Sequence, residues 1–309
     1  MTTGNTQRQP TIVCVGQTVM DHRFSVAETP SRAQKYLASH YQALSGGMAT
    51  GAAVAAARLG ADVYLVSRLG DDASATALLS ILHQERINTS LTEQVKGCRT
   101  AVSAITIDPN GERQIVHATT DAFDRGSPMN VHDLPAAHAV VVDPRWPQAS
   151  LAALRWAKEH GIPSVLDADV APPDVLRELL PHADWAVFSS HGLSHLFPSL
   201  SQRDKLRQAA KLGAKMVAVT CGEEGVQWLD GERLETIAAI DVPANDTTGA
   251  GDVFHGALAF ALALAPQSSA RSMLSFANQV AARKVIAGNG IMGAPYAQDL
   301  QAEIASLNT

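Results

Sequence analysis

The chain has 309 residues, 46% of them hydrophobic and 17% charged, with a formal net charge of −6. That balance gives ample core material for one large domain or two, and its acidic sign excludes a nucleic-acid partner, whose footprint would be basic. Three widely spaced cysteines, Cys14, Cys98 and Cys221, suggest neither a disulfide framework nor a zinc site and fit a reducing cytoplasm.

Residues 1–10 are polar and lack the apolar centre of a signal peptide, so 1–9 reads as a flexible N-terminus. Thr11 to Gly16 is a continuous apolar run closing on glycine, the pattern of a strand buried on both faces. Similar runs follow at 63–66, 139–143, 164–167, 185–188 and 216–220, separated by helical patterns over 50–59, 76–85, 150–160 and 203–212. Such alternation predicts a parallel sheet covered by helices. Ligands then sit beyond the carboxyl ends of the strands, which marks Asp21, Arg145 and Gly222. Two stretches break the rhythm. Residues 22–44 and 99–120 carry half-polar, strand-like patterns, and Asn110-Gly111 reads as a hairpin turn. They predict a small β-sheet lid that closes over a substrate and excludes water. The boundaries expected are a core over 10–21, 45–98 and 121–309, with the lid over 22–44 and 99–120.

Several constellations carry chemistry. Gly46-Gly47 feeds a helix of small residues, 48–60, on which something must pack closely. Thr220-Cys221-Gly222-Glu223-Glu224-Gly225 follows a buried strand, and reads as a plain turn or as a backbone cradle for polyphosphate. Asp21 is a turn carboxylate or an acceptor for substrate hydroxyls. The stretch Asn245-Asp246-Thr247-Thr248-Gly249-Ala250-Gly251-Asp252 meets an Ala/Leu helix over 253–264. The free N–H groups and positive end of that helix suit an anion. Asp252 would repel the same anion, so it either caps the helix or serves as a base toward an acceptor hydroxyl.

Two motifs fail their context. Gly288-Asn289-Gly290-Ile291-Met292-Gly293 has the G-x-G-x-x-G spacing, but it follows a helix and precedes Pro295 near the end of the sequence, whereas a dinucleotide fingerprint joins a strand to a helix. No G-x-x-x-x-G-K-[ST] exists, so this is not a P-loop protein. The histidines show no HExxH pattern, and most read as solvated. The run 253–266 is too short to span a bilayer, so no membrane partner is expected.

From Gly16 to Pro295 the sequence resembles the ribokinase-like (PfkB) carbohydrate kinases. The likeness rests on Gly46-Gly47 with Ala55-Ala56-Ala57-Arg58-Leu59-Gly60, on Gly70-Asp71-Asp72, and above all on Asp246-Thr247-Thr248-Gly249-Ala250-Gly251-Asp252. The resemblance implies a three-layer α/β/α fold with a mostly parallel sheet, an ATP-dependent sugar kinase, Asp252 as catalytic base, and the amides of Gly249, Ala250 and Gly251 as the anion hole. It implies ATP contacts from Thr220, Gly222 and Gly225 and an adenine pocket walled by Asn278, Ala281 and 288–293, with Mg²⁺ on the nucleotide. The family's N-x-x-E positions read Ser189 and Gly192 here, so the metal ligands are left unassigned.

Within the family the chain looks most like the kinases of 6-deoxy-6-sulfofructose. That likeness implies phosphorylation at carbon 1, sugar contacts from Asp21, Gly46 and Gly47, and a sulfonate held by Lys35 and Arg145. His117 stands where those enzymes carry an asparagine; Arg32 and Arg113 are nearby basics without a family role. Fructose, a fructose phosphate, a keto-deoxy sugar acid or a nucleoside are the alternative substrates, and a non-catalytic sensor is the alternative outside catalysis. A homodimer joined through the lids is expected from the exposed edges of a small sheet.

Overall fold

A computed structural model describes residues 9–243 and 246–307. Most of the expected N-terminal segment 1–9, and Asn245, lie outside them. In chain order the elements begin β1 (Thr11–Val15), β2 (Val19–Val26), β3 (Ala38–Gly46), α1 (Met48–Arg58), β4 (Asp62–Gly70), α2 (Ala73–Gln84), β5 (Thr92–Val95), β6 (Ala101–Ile107), β7 (Arg113–Ala118) and α3 (Ala122–Arg125). They continue β8 (Ala139–Val142), α4 (Pro147–Glu159), β9 (Ser164–Ala168), α5 (Pro173–Leu179), β10 (Trp185–Ser189), α6 (Ser190–Leu196), α7 (Gln202–Ala210) and β11 (Met216–Thr220). The last are β12 (Val226–Asp230), β13 (Arg233–Ile237), α8 (Ala250–Leu264), α9 (Ala270–Ala287) and α10 (Gln301–Ser306).

Nine strands form the central sheet in the order β13-β12-β11-β10-β9-β8-β1-β4-β5. All its pairings are parallel except those of β12 and β13, so the mostly parallel α/β expectation holds. The apolar runs became the middle strands because they are buried on both faces: β8 and β9 have no exposed residue. One face is covered by α1, α8 and α9, the other by α4 to α7. Side chains start several helices: Asp72, Ser189, Ser201 and Ser269 each accept a backbone N–H of the following first turn, which satisfies donors the helix cannot.

The four remaining strands form the lid sheet, in the order β3-β2-β6-β7. The β6–β7 hairpin turns where the sequence placed it. The Asp108 carboxylate accepts the N–H groups of Asn110 and Glu112, and Gly111 takes φ 82°, a left-handed conformation that favours glycine. Alternation along β2 sends Asp21 and Arg23 to the inner face, while His22 and Phe24 stand outside against Tyr41. That outer surface leaves Tyr41 51% and Val116 68% exposed.

The small residues of α1 let α8 come unusually near. A Cβ added to Gly51 would lie 2.4 Å from the Cβ of Asp252, and one on Gly256 would lie 2.2 Å from the oxygen of Ala52. Real carbon atoms do not approach so closely, so both positions require glycine while the helices keep this spacing. The sheet's carboxyl edge, the lid and the starts of α1 and α8 thereby face one cleft.

Candidate active site

Asp252 lies in the first turn of α8, which begins at Gly249 in the left-handed conformation, φ 74°. It is not the helix cap: that position belongs to Gly249, and no side chain bonds across the helix start. Gly251 is exposed, with open space where a side chain would be. Thr248 Oγ1 and Arg23 Nε, beside this turn, are buried without a hydrogen-bond partner among the described residues. Unfilled polar atoms at a helix N-terminus are what a phosphate would satisfy.

Burial pushes the Asp252 carboxyl well above the usual carboxylate range, and the neighbouring Asp167 carboxylate adds to the rise while His255 opposes it. Asp167, one residue before the end of β9, is also raised by burial and by Asp169, and lies 3.2 Å from His255 Nδ1. His255, one turn after Asp252, is 2% exposed and bonds the carbonyls of Gly251 and Val187 at 2.7 and 3.1 Å. It is the buried exception among histidines that otherwise are exposed or half-buried, as expected. Its spacing of three from Asp252 was the available signal.

A further carboxylate, Asp143, holds three segments of the cleft wall together. It is wholly buried, and its two oxygens accept the N–H groups of Gln17, Ala49 and Arg145 at 2.8, 3.1 and 2.8 Å. Burial raises its pKa; these hydrogen bonds oppose the rise. One side chain thus joins the loop after β1, the start of α1 and the loop after β8. Gly16 is required beside it, since a Cβ there would lie 2.1 Å from Asp143 Oδ2.

Asp21 belongs to the lid strand β2 rather than to the end of β1. Burial raises its pKa, opposed by a hydrogen bond from Ser103. Gly46 gives it room, as a Cβ there would sit 2.1 Å from Asp21 Oδ2, and Gly47, at φ 101°, passes tight against the Gln17 carbonyl. His117, on β7, faces the same region: its ring bonds Gln17 Nε2 at 3.3 Å and Ser103 Oγ at 3.1 Å. Burial, then the charge of Arg145, lowers its pKa. Arg145 itself is engaged by Asp169 at 3.7 Å.

Lys35 is not gathered with them. It is exposed in the loop joining β2 to β3, at the far end of the lid. Val26 lies five residue steps along β2 from Asp21, roughly 17 Å at the usual rise.

Farther along the sheet's carboxyl edge, Thr220 ends β11, and Gly222 and Gly225 take φ 54° and 85° in the turn that follows. Asn278, on α9, donates to the Ala238 carbonyl at 3.1 Å, next to the backbone that presses on Gly225. Asn278 and the Thr220 turn are therefore linked through 237–239, with Ala281 one turn along α9. The 288–293 loop continues from the end of α9 as a short 3₁₀ turn, not a strand-to-helix joint. Ser189 caps α6 and donates to Asp169, while Gly192 lies against the Ala168 carbonyl, where a Cβ would be 2.6 Å away. No carboxylate fits at 192 without a shift. Among the described residues no cluster of three metal-ligating side chains occurs.

The profile of the pfkB family of carbohydrate kinases matches residues 9–295, and the chain belongs to that family. It is thus a sugar kinase, a phosphotransferase. It is 28% identical to the ribokinase of Bacillus subtilis (strain 168) over 293 residues, covering 94% of this chain and 98% of that one. A solved structure from Agrobacterium tumefaciens, assigned as a ribokinase, superposes with a TM-score of 0.90 at 33% identity, covering 97% and 98%. The Arabidopsis thaliana ribokinase complexed with ribose and ATP gives 0.82 at 25% identity, covering 96% and 99%.

Proposed function

We propose that the protein transfers the γ-phosphoryl group of ATP to a primary hydroxyl of a small neutral sugar of the ribose or fructose class. The carrying observation is the start of α8, where a buried carboxylate of raised pKa stands beside the exposed Gly251, with open space about it. Asp252 takes the hydroxyl proton, and a base whose pKa is raised toward the working pH does so with better driving force. The amides of Gly249, Ala250 and Gly251 receive the charge of the transferring phosphate, on a scaffold already oriented. Asp21, with Gly46 leaving room beside it, orients the sugar hydroxyls. The ATP phosphates lie along the Thr220–Gly225 turn, and the adenine against Asn278 and Ala281. Magnesium would neutralise phosphate charge; it usually takes few protein ligands and arrives on the nucleotide.

The neutral sugar is preferred because the relatives include ribokinases and a probable fructokinase, and because the cations a sulfonate would need are not assembled. Lys35 is remote, and Arg145 is held by Asp169. A second reading, 6-deoxy-6-sulfofructose phosphorylated at carbon 1, is supported by the nearness of Arg145 to His117, whose pKa its charge lowers. Guanidinium would grip tetrahedral oxygens in pairs. A partner's lid could bring Lys35 to that wall, and the exposed Tyr41 and Val116 on the lid's outer face suit a homodimer.

Coupled assays on ribose, fructose, fructose 6-phosphate and 6-deoxy-6-sulfofructose test this. The expected result is the highest kcat/KM on a neutral sugar. A sulfosugar favoured tenfold or more, about 1.4 kcal/mol, would replace the first reading by the second, and ATP binding without any product would leave only a sensor.

A further inference from the structure

Lys284, in the last turn of α9, has a side chain with 0% exposure. Lysine is almost never buried unless something meets its charge. Its Nζ donates to the main-chain oxygen of Asp246 at 2.7 Å and stands 4.0 Å from Oδ2 of the same residue. The N–H of Asp246 in turn donates to the Val285 carbonyl at 3.4 Å. Both backbone groups at the start of the anion-hole loop are therefore fixed to the end of α9. A trans peptide is planar, so holding the Asp246 carbonyl on the ammonium turns the Thr247 N–H to the opposite side.

The Asp246 carboxylate carries the arrangement outward. Oδ2 accepts Arg23 Nη2 from the lid and the N–H of Gly290, both at 2.8 Å, and Oδ1 accepts the N–H of Thr248 at 2.8 Å. A second lid residue, Arg113, donates to Thr247 Oγ1 at 2.5 Å. Hole loop, lid and α9 converge on one residue, with a buried ammonium beneath it.

We propose that Lys284 is a positioning residue for phosphoryl transfer: a built-in cation that holds the 246–251 loop in the shape that receives the phosphate, and through Asp246 couples that shape to the lid. This rests on the phosphoryl-transfer reading of Asp252 above. Lys284 touches no reacting atom in that reading; it acts through the loop.

The charged groups facing it are Asp246 from the loop, Arg23 from β2, Asp252 from α8 and Arg113 from β7. Burial lowers its pKa most, and the two guanidiniums add to this while Asp246 and Asp252 oppose it, leaving it at about 8 against an ordinary 10.5. Raising the pH through that value removes the charge that grips Asp246, and turnover falls. The effect on stability has the opposite sign. Between about 8 and 10.5 the unfolded chain keeps a proton the folded chain has lost, so this group makes the fold more stable as pH rises. Loss of activity in that window is therefore not unfolding caused by Lys284.

The test is steady-state kinetics of the full chain, on whichever sugar of the panel it turns over best, for wild type and Lys284→Met, alongside thermal unfolding. The expected wild-type kcat declines with a midpoint near pH 8. Folded Lys284→Met should lose about 10²-fold in kcat, a magnitude typical of a damaged oxyanion site, with sugar KM little changed. It should also lack the high-pH decline and recover part of its turnover with added methylammonium. A folded variant with near-normal kcat, or a slow one that keeps the wild-type pH profile, overturns the proposal. If Lys284→Met does not fold, the wild-type profile decides: a decline supports the role and a flat kcat up to about pH 9.5 overturns it. A wild type that phosphorylates no sugar overturns the Asp252 reading, and this proposal with it. Active wild type with an indifferent variant overturns this proposal alone.

Discussion

The two ends of the cleft are built differently. At the end proposed for the phosphate, Asp252 lies against Gly51 of α1 at near contact, with His255 one turn on acting on its charge, and the 246–251 loop is tied to α9 and to the lid. At the end proposed for the sugar, Asp143 is wholly buried, while His117 on β7 and Arg145 in the loop after β8 are exposed. On the proposed reading, chemistry common to every substrate sits on packed helices, where position is tightly enforced. Recognition sits on a lid and loops that can be revised without disturbing that packing. The contrast predicts where substitutions cost turnover and where they change only the substrate.

The largest effect is expected at the packed end. Asp252→Asn should lower kcat by about 10³-fold, the usual scale for losing a general base, with ATP binding retained by calorimetry. The same variant should be at least as stable as wild type at neutral pH. The raised carboxyl of Asp252 opposes folding wherever the pH lies above its ordinary value, because the folded state holds a proton the unfolded chain has released. Near-normal turnover would remove the base assignment. A less stable variant would say that Asp252 supports the helix start after all.

Next comes Gly51→Ala, one methyl group away from the reacting residues. The added carbon would fall 2.4 Å from the Asp252 Cβ, so α1 and α8 must part. A base moved by a fraction of an ångström costs roughly 10²-fold in kcat, and overpacking costs about 1–3 kcal/mol of stability. Both are measurable, by kinetics and by urea unfolding. If kcat holds while stability drops, the close approach serves packing alone.

A smaller effect follows from Asp246. Its neighbours, above all the Gly290 N–H and Lys284, hold its carboxyl at about 2 against an ordinary 3.8, in spite of burial. A depressed carboxylate stabilises the fold above its ordinary value and ceases to do so as pH falls through the folded one. The contribution, about 2 kcal/mol, should disappear between about pH 4 and 2. Unfolding free energies of wild type and Asp246→Asn across that window should converge toward low pH; parallel curves would contradict the shift.

The same contrast explains what could be read beforehand. The buried strands and the hairpin turn at Asn110-Gly111 were legible because burial on both faces and a left-handed glycine leave local marks. At Asp252 the local stretch left cap and base open; the resemblance chose the base, and the structure puts the residue in the first turn of α8 with Gly249 at the cap. Asp143 directly follows β8 and Asp167 is the penultimate residue of β9, and the strand-end rule reached for Arg145 instead of the carboxylate two residues before it. Arg23 and Lys284 gave no local sign: their partner Asp246 lies 223 and 38 residues away, and only the closed chain makes the one an ion-pair partner and the other a buried cation. Lys35 was placed by likeness, and its position at the lid's far end depends on a chain reversal that likeness does not describe. The hairpin β12–β13 escaped because its strands are only partly buried.

The smallest effect on common chemistry, and the most informative on recognition, is expected of Arg145→Ala. Its backbone N–H, which Asp143 holds, survives the change, so the loop keeps its place. Its side chain is about one-third exposed and pairs with Asp169 at 3.7 Å, a geometry worth little on its own in water. On a neutral sugar, kcat/KM should therefore stay within about threefold of wild type, since surface-type pairs contribute under about 1 kcal/mol. On a sulfosugar the same change should cost about 10-fold or more, because a hydrogen bond to a charged group is worth about 1.5–3 kcal/mol. Equal small losses on both sugars would leave the anion without a guanidinium partner and remove the second reading. A large loss on the neutral sugar would move Arg145 from the revisable end of the cleft to the common one, and break the division between them.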